Sequence, residues 1–295
     1  MKVSFGNISL ERLCGLFGKK RQSFYKKTAR EQETEVRSGL ILKRVGEIRK
    51  DSHRMGCIKL RSILLREMGE SMVGLGRDSF FALMRENNLL VKPRKRYVVT
   101  TQSRHRFKKW PDLVQRGHPD RPEQIWVSDI TYVRIRHRWV YLCLITDAYS
   151  RKIVGYRLTH RPTAEACIGA LRMAVKNRMY PDHDLIHHSD RGIQYCSTDY
   201  VRVLQAKGIA ISMTQSGSPY DNAVAERLNG ILKDEYRISE TFRDYGEALA
   251  QVIKAVDIYN NFRPHMACDL ISPQQAHESW EEETPRGIFQ RPVLK

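Results

Sequence analysis

The sequence lacks the features that mark membrane and exported proteins. No apolar run in its 295 residues reaches about 18 residues, the length that a transmembrane helix requires. The first twenty residues contain Glu11, Arg12, Lys19 and Lys20 among short apolar stretches, which is not the pattern of a secretory signal. We therefore expect a cytoplasmic protein without a membrane partner.

The six cysteines form neither a metal-binding nor a disulfide pattern. No two of them have the Cys-x-x-Cys spacing of common zinc sites. A disulfide framework is not expected in a chain of this size without an export signal. We predict reduced thiols at all six positions. These are Cys14, Cys57, Cys143, Cys167, Cys196 and Cys268.

Acidic residues are scarce in the first two-fifths of the chain. Residues 1–124 hold 29 Lys and Arg against 13 Asp and Glu, whereas residues 125–295 hold 22 against 20. Such a basic block commonly neutralises phosphates, and its binding to nucleic acid weakens steeply with salt. The charge alone also fits a basic protein that contacts nucleic acid only incidentally.

Residues 1–34 have the layout of a helix-turn-helix segment. Apolar residues recur at helical spacing from Ile8 to Phe17, and Gly15 and Gly18 can supply the turn. Other helical hairpins share this pattern, but the second segment here presents basic side chains suited to a DNA groove. The predicted DNA contacts in this segment are Lys20, Arg21 and Lys26.

Two more regions precede the part of the chain that carries the main motifs. Residues 35–90 predict a second helical, helix-turn-helix-like DNA-binding domain, with amphipathic helices around Ile58–Met68 and Phe80–Met84. Residues 91–121 are basic and contain three prolines, which predicts an extended linker. The linker either follows a DNA backbone or serves as a solvated tether.

Residues 122–280 change to an α/β pattern, and residues 281–295 are predicted to form a C-terminal tail. The first three strand-like runs predict an antiparallel meander. The helices and strands after them predict a mixed five-stranded sheet flanked by helices. The predicted strands are Ile125–Ile135, Trp139–Thr146, Lys152–Thr159, Leu185–His188 and Ile209–Met213. The predicted helices are Thr163–Lys176, Thr198–Lys207, Tyr220–Tyr236 and Tyr245–Phe262.

Two aspartates occupy notable positions in this pattern. Asp129 interrupts a run of β-branched and aromatic residues, where aspartate is uncommon and needs either a nearby arginine or a metal ion. Asp190 follows a short strand and precedes Gly192, so it is either a turn residue or a residue that faces a cleft at the sheet edge. His187 and His188 lack a third His or Cys at suitable spacing, so zinc is not predicted.

The helix predicted around Glu226 carries a polar stripe. Offsets of three, four and seven residues return to one side of a helix, so Asn222, Glu226, Asn229 and Lys233 share a face. Such a stripe is usually a solvated surface. Here it also fits a face on which Glu226 binds metal while Asn222, Asn229 and Lys233 contact DNA, with Lys233 holding a phosphate.

These residues fall into segments with a specific spacing. Asp190 lies 61 positions after Asp129, 35 residues separate it from Glu226, and Lys233 follows seven positions later. The segments Trp126–Tyr132, His187–Gly192, Ser216–Ala223 and Tyr259–His265 resemble the orfB transposases of bacterial insertion sequences of the IS-three type. The resemblance covers residues 124–276, and this family belongs to the retroviral integrase superfamily.

The resemblance implies a core with an RNase H-like fold and a two-metal active site. It implies that Asp129, Asp190 and Glu226 coordinate two divalent cations, normally Mg²⁺ with Mn²⁺ as a substitute. It also implies DNA cleavage and strand transfer that join one transposon end to the other before integration elsewhere. A nuclease of the same fold, or a DNA-binding regulator with an inactive core, are the alternative functions.

The resemblance also implies partners. The substrate is double-stranded DNA, as transposon ends and target, and two ends must meet, so we expect a homo-oligomer on the bacterial nucleoid. The sequence has no zinc module of the retroviral His-His-Cys-Cys type and no evident leucine zipper upstream of the helix-turn-helix. An upstream orfA product, separate or fused by frameshifting, is therefore an expected partner.

The helix-turn-helix interpretation predicts that DNA binding by this segment depends on salt. Changing Lys20 and Arg21 to Gln removes two phosphate-neutralising charges, so affinity for duplex DNA falls. The slope of log affinity against log salt decreases by about one unit for each phosphate that the protein no longer neutralises. Fluorescence anisotropy across a salt series measures both quantities, and slopes identical to those of the unmodified chain would contradict the interpretation.

Overall fold

A computed structural model describes residues 9–72, 74–92, 107–114, 118–215 and 223–281. Five of the predictions lie wholly or partly outside these ranges. They are most of the basic linker, nearly all of the predicted C-terminal tail, nearly all of the motif Ser216–Ala223, the first three residues of the helix predicted at Tyr220–Tyr236, and the DNA contact assigned to Asn222.

The chain begins with a short helix, a turn and a long helix. Helix α1 spans Leu10–Leu16, and the Ser9 side chain caps it by accepting a hydrogen bond from the Arg12 N–H at 3.3 Å. The turn contains Gly18, whose φ of +64° favours glycine. Helix α2 spans Arg21–Asp51.

The length of α2 differs from the sequence prediction. The proposed boundary between residues 34 and 35 falls inside this helix, so no break in secondary structure separates the two predicted segments. Between Arg21 and Gly39 the sequence has neither glycine nor proline, and it is rich in Ala, Arg, Glu, Gln and Lys, which are good helix formers. Local propensity therefore extends the helix through the predicted boundary.

A small helical unit packs on the second half of α2. Helix α3 spans Cys57–Glu67, a 3-10 helix spans Gly69–Met72, and α4 spans Arg77–Glu86. Most apolar side chains of α3 and α4 face this unit's core, whereas Ile58 and Leu65 of α3 are exposed. Its buried members include Ile41, Val45, Leu60, Leu64, Phe80 and Met84. No helix in the described ranges is long and apolar enough to cross a membrane.

The α/β part of the chain is built on a mixed sheet in the order β3-β2-β1-β4-β5. The first three strands are antiparallel, and β4 and β5 run parallel to β1. This confirms the predicted meander and mixed sheet. A two-residue strand, β6, pairs in parallel with Arg134 and Ile135 at the end of β1. It is too short to leave a periodic signal in the sequence. The strands are β1 Ile125–Ile135, β2 Arg138–Asp147, β3 Ile153–Thr159, β4 Ile186–Ser189, β5 Ala210–Met213 and β6 Thr241–Phe242.

Helices cover both faces of the sheet. Helices α5 and α6 share one apolar cluster with the sheet, and α7 and α8 share another with the opposite face. Helix α9 packs beside α8. The four long helices begin and end within three residues of the predicted bounds. The helices are α5 Ala164–Lys176, α6 Thr198–Ala206, α7 Ala223–Glu235, α8 Tyr245–Asn261 and α9 Pro273–Glu278.

Part of the predicted linker belongs to the core. The Met213 N–H donates to the Pro111 carbonyl at 3.2 Å, and the Leu113 N–H donates to the Ser212 hydroxyl at 2.9 Å. The Arg121 guanidinium donates to the Asp184 carbonyl at 2.6 Å. The residues around Pro111 and Leu113 are therefore held against β5, and Arg121 is held against the loop before β4. These parts of the predicted linker are not a free tether.

A buried polar network joins the start of the core to α9. Asp147 accepts hydrogen bonds from the Glu123 N–H at 2.7 Å and the Ser150 hydroxyl at 2.8 Å. The His277 ring lies against Ser150 at 2.9 Å, and Arg178 pairs with Glu123 at 3.2 Å. Glu123, Asp147, Ser150 and His277 are fully buried, and the Arg178 side chain is 9% exposed. The network lies where β1 begins and β2 ends.

Strand β3 and helix α5 approach each other closely at Gly155. A Cβ on this residue would lie 2.2 Å from the Ala170 carbonyl oxygen and 3.0 Å from the Ala174 Cβ. Both neighbours belong to α5, whose backbone cannot move without disturbing the cluster beneath it. Glycine at 155 therefore sets the distance between β3 and α5.

This close approach predicts opposite effects for two glycine substitutions. Gly155→Ala overpacks the β3–α5 interface, and we expect it to lower the free energy of unfolding by about 1–3 kcal/mol. Gly46→Ala, on the exposed side of α2 with no atom within 4 Å, should raise it by about 0.5–1 kcal/mol. Urea denaturation measures both, and equal effects of the two substitutions would contradict the packing argument.

Candidate active site

Two of the predicted site residues meet at one edge of the sheet. Strands β1 and β4 are parallel neighbours, and Ser128 of β1 pairs with Ser189 of β4. The next residue on each strand is a carboxylate, so Asp129 and Asp190 occupy adjacent positions where β4 ends. The Asp190 Oδ1 atom accepts a hydrogen bond from the Gly192 N–H at 3.0 Å, which orients the side chain at the strand end.

The third predicted residue reaches this edge on a helix. Glu226 lies in the first turn of α7 and is exposed. One turn later, Asn229 is nearly buried and its amide donates to the Asp129 Oδ2 atom at 2.6 Å. The Glu226, Asn229 and Lys233 side of α7 therefore faces the carboxylate on β1, as the polar stripe indicated.

Electrostatic interactions connect these groups. Burial raises the pKa of Asp129 to about 7, and the nearby carboxylates of Asp190 and Glu226 contribute to this rise. The Ile130 N–H and the Lys233 ammonium act in the opposite direction by favouring the charged form. Burial lowers the pKa of Lys233, and its attraction to Asp129 partly offsets this. The Asp129 carboxylate therefore lies beside two other acidic groups in a position where water screens charge poorly.

The three predicted carboxylates are not arranged in this structure to coordinate a metal ion together. Within the described ranges, no three His, Cys, Asp or Glu side chains are close enough together to hold a metal ion. Both oxygens of Asp129 already accept hydrogen bonds, Oδ1 from the Ile130 N–H at 2.8 Å and Oδ2 from Asn229. The donor set nevertheless suits hard divalent cations, which prefer carboxylate oxygens.

The two histidines before Asp190 are buried and form hydrogen bonds inside the protein core. The His187 Nε2 atom lies 2.6 Å from the Ser128 hydroxyl and 2.8 Å from the Tyr200 hydroxyl. Burial lowers the pKa of His187 to about 3, so the ring is neutral. The His188 Nδ1 atom lies 2.8 Å from the Ser212 hydroxyl. These contacts tie β1, β4, β5 and α6 together beneath the carboxylates.

The predicted DNA contacts have different surroundings. Lys20, Arg21 and Lys26 are exposed at the start of α2, and Arg21 stacks on Tyr25, with its guanidinium carbon 5.4 Å from the ring centroid. Asn229 was predicted to contact DNA, but its amide is buried and bonded to Asp129. Helical periodicity identified the face of α7 correctly and could not tell which of its members turn inward.

The sequence analysis missed a buried charge cluster at the end of α7. Glu235 accepts two hydrogen bonds from Arg263, at 2.7 and 2.8 Å, and one from Lys59 of α3 at 2.7 Å. The Glu235 backbone carbonyl also accepts from the His53 N–H at 3.0 Å. Arg263 lies within the motif Tyr259–His265, so that motif was the available signal. The cluster fixes the end of α7 to the N-terminal helical unit.

The six cysteines are all buried and carry free thiols, as predicted. Cys143 on β2 and Cys167 on α5 lie closest, with their sulfur atoms 3.4 Å apart at hydrogen-bonding distance. This contact packs the sheet against α5 and takes no part in the carboxylate site.

Comparison with known proteins agrees with this architecture. Two profiles described as integrase core domain match residues 119–219 and 207–273. The chain is 34% identical over 275 residues to an uncharacterized 31 kDa protein of insertion element IS600 from Shigella sonnei, covering 92% of this chain and 99% of the relative. It is 33% identical over 196 residues to transposase InsF for insertion sequence IS3A of Escherichia coli strain K12, covering 66% of this chain and 68% of that protein.

A solved structure shares the fold. The intasome of simian T-cell lymphotropic virus, determined in complex with PP2A regulatory subunit B56 gamma, aligns with a TM-score of 0.50 at 18% identity. The alignment covers 84% of this chain and 79% of the viral chain. At this identity the likeness concerns the fold alone.

The mixed sheet has the RNase H-like fold, and the integrase-core matches and the transposase relative make this chain a polynucleotidyl transferase with an integrase core. Within that class, the chain belongs to the IS3 family of insertion-sequence transposases, in the retroviral integrase superfamily. It is a transposase of the DDE type, an enzyme of DNA recombination.

The cluster at the end of α7 predicts a strong effect on stability. Glu235→Gln leaves Arg263 and Lys59 buried without a counter-charge, and we expect the free energy of unfolding to fall by about 3–5 kcal/mol. Glu240→Gln, which removes the exposed pair with Arg237, is the matched control and should change it by about 1 kcal/mol or less. Similar denaturation midpoints for both variants would show that the cluster is not required.

Proposed function

We propose that Asp129, Asp190 and Glu226 form the metal-binding triad with which this transposase cleaves and joins DNA strands at the ends of its element. The main support is the geometry of the sheet end, because Asp129 and Asp190 follow the paired residues Ser128 and Ser189, and the Asn229 amide holds the Glu226 face of α7 toward Asp129. Asp190 and Glu226 also add to the rise in the pKa of the buried Asp129, and a bound cation would relieve this repulsion.

The expected cofactor is a pair of Mg²⁺ ions, with Mn²⁺ as a substitute. Bound between the three carboxylates, two such ions supply activation of the attacking oxygen and stabilisation of the leaving oxygen in an in-line displacement at phosphorus. Carboxylate oxygens on three different elements suit this coordination chemistry.

The protein's own groups then have separate tasks. Asp129 is held rigidly on the central strand, and the Gly192 N–H orients Asp190. Glu226 is exposed on the first turn of α7 and supplies the third carboxylate. Lys233 interacts with the Asp129 carboxylate and orients a DNA phosphate.

One such site serves both steps of transposition. Attack by water on a phosphodiester nicks the strand and leaves a 3′-hydroxyl, and attack by that hydroxyl on a second phosphodiester transfers the strand. Each step exchanges one oxygen on phosphorus for another, so no covalent protein intermediate is needed. The family relationship supports end-to-end joining followed by integration of the resulting circle.

The proposed assembly contains more than one protein chain. Two transposon ends must be held together, so we propose at least a homodimer on double-stranded DNA. An upstream orfA product, separate or fused, is a further proposed partner that supplies end recognition. The site of action is the bacterial nucleoid in the cytoplasm.

Replacing Glu226 tests the proposal. Glu226→Gln removes a metal ligand while leaving positive charge intact, so joining of labelled element ends in Mg²⁺ should fall by about a thousandfold or more, with duplex binding unchanged. Glu165→Gln, an exposed glutamate on α5, is the control and should join ends at the normal rate. Normal joining by Glu226→Gln would overturn the assignment. Cleavage without joining by the unmodified enzyme would indicate a nuclease, and binding without chemistry would indicate a regulator.

A further inference from the structure

A cavity of about 220 Å³ lies on the side of α7 that faces away from Glu226. Thr146 at the end of β2, Arg151, Arg227 and His265 line it together with apolar side chains of α7. Successive helix residues point about 100° apart, so Arg227 faces the cavity while Glu226 faces the carboxylate edge. The same turn of α7 therefore contributes to both places.

The cavity collects positive charge. Burial lowers the pKa of His265 to about 3, and Arg263, Arg151, Lys59 and Arg227 contribute to this decrease, so four cations act on this ring. His265 is therefore neutral, and its Nδ1 atom accepts a hydrogen bond from the Ala267 N–H at 3.2 Å. Cations gathered in this way are unfavourable unless an anion accompanies them.

Glu235, which pairs with two of these cations, has its carboxylate oxygens occupied. Both oxygens of Glu235 accept hydrogen bonds from Arg263, and one accepts a further bond from Lys59. In the described ranges of the chain, the guanidinium groups of Arg151 and Arg227 have no carboxylate partner. Two arginines thus remain beside the cavity with their hydrogen-bond donors available.

Two further observations indicate a prepared binding site. Arg151 has a φ of +66°, a conformation that costs a non-glycine residue free energy and that is concentrated at functional sites. The Tyr259 hydroxyl holds this turn by donating to the Arg151 carbonyl at 2.9 Å. Thr146, one of the residues that line the cavity, is only 1% exposed, and its hydroxyl has no hydrogen-bond partner in the part of the chain that the structure describes. Buried polar atoms are rarely left unpaired.

We infer that this cavity binds a phosphate group, held by Arg151 and Arg227 and by the hydroxyl of Thr146. The planar guanidinium group presents paired donors that match phosphate oxygens, and the hydroxyl supplies a third. The phosphate comes from the backbone of the DNA on which the transposase acts. To that extent the inference rests on the proposed function, but it does not depend on the carboxylate triad.

Phosphate binding here has a consequence for the active site. Arg227 lies on the turn of α7 that carries Glu226, the third carboxylate of the proposed triad. A phosphate between Arg151 and Arg227 fixes that turn against β2 and the loop after it. DNA contact on one side of α7 thereby positions the glutamate on the other side.

Binding measurements in EDTA test the cavity separately from the triad, because no divalent cation is present. Arg227→Gln and Arg151→Gln should each lower affinity for a duplex carrying the element end and reduce the salt slope by about one unit. Arg172→Gln, an exposed arginine on α5, is the charge-matched control and should match the unmodified chain. Slopes for both cavity variants equal to that of the control would overturn the inference. Arg227 is exposed, so its variant tests the cavity even if Arg151→Gln fails to fold.

Two probes identify the source of the phosphate. In a series of duplexes, each duplex carries one neutral methylphosphonate at a different backbone position. At one position this substitution should lower the affinity of the unmodified chain, and it should not further lower the affinity of Arg227→Gln. Inorganic phosphate should raise the thermal midpoint of the unmodified chain more than that of Arg227→Gln. A methylphosphonate effect supports DNA, and a phosphate effect alone supports the same anion site with free phosphate as its ligand. If neither probe distinguishes Arg227→Gln from the unmodified chain, the cavity does not bind phosphate.

Discussion

Four residues of β4 lie parallel to the first part of β1, and this short pairing holds two carboxylates together that are 61 positions apart in the sequence. Asp129 cannot move relative to Asp190 without breaking the central hydrogen bonds of the sheet. The layer beneath them is equally constrained, because His187 bonds to both Ser128 and Tyr200. The geometry of the site therefore depends on the packing of the sheet centre.

Helix α7 connects the rest of the molecule to this edge. Its first turn carries Glu226 and Arg227, its second turn bonds to Asp129 through Asn229, and its last residue, Glu235, is fixed by Arg263 and by Lys59 from the N-terminal helical unit. A rigid helix transmits a shift at one end to the other. Helix α7 thus connects the N-terminal helical unit to the carboxylate end of the sheet.

Most strands and helices of the core could be predicted from the sequence because they have strong local patterns. Alternation and β-branched residues located β1 to β3 almost to the residue, and the residues of the integrase-type motifs identified the family. The Asn229 contact could not be predicted, since a helical stripe gives a face and not a partner. Arg263 and Glu235 lie 28 positions apart on different elements, and no local pattern pairs them.

The sequence by itself determined where the candidate residues lie: carboxylates in a strand, after a strand and on a helix, with basic residues ahead of them. These features depend on residue type and short-range spacing. Tertiary structure alone decided that Asn229 turns inward, that Glu235 joins α7 to the helical unit, and that Arg151 and Arg227 meet beside one cavity. Each of these depends on contacts between distant parts of the chain, whose free energy is set by burial and charge after the elements have packed.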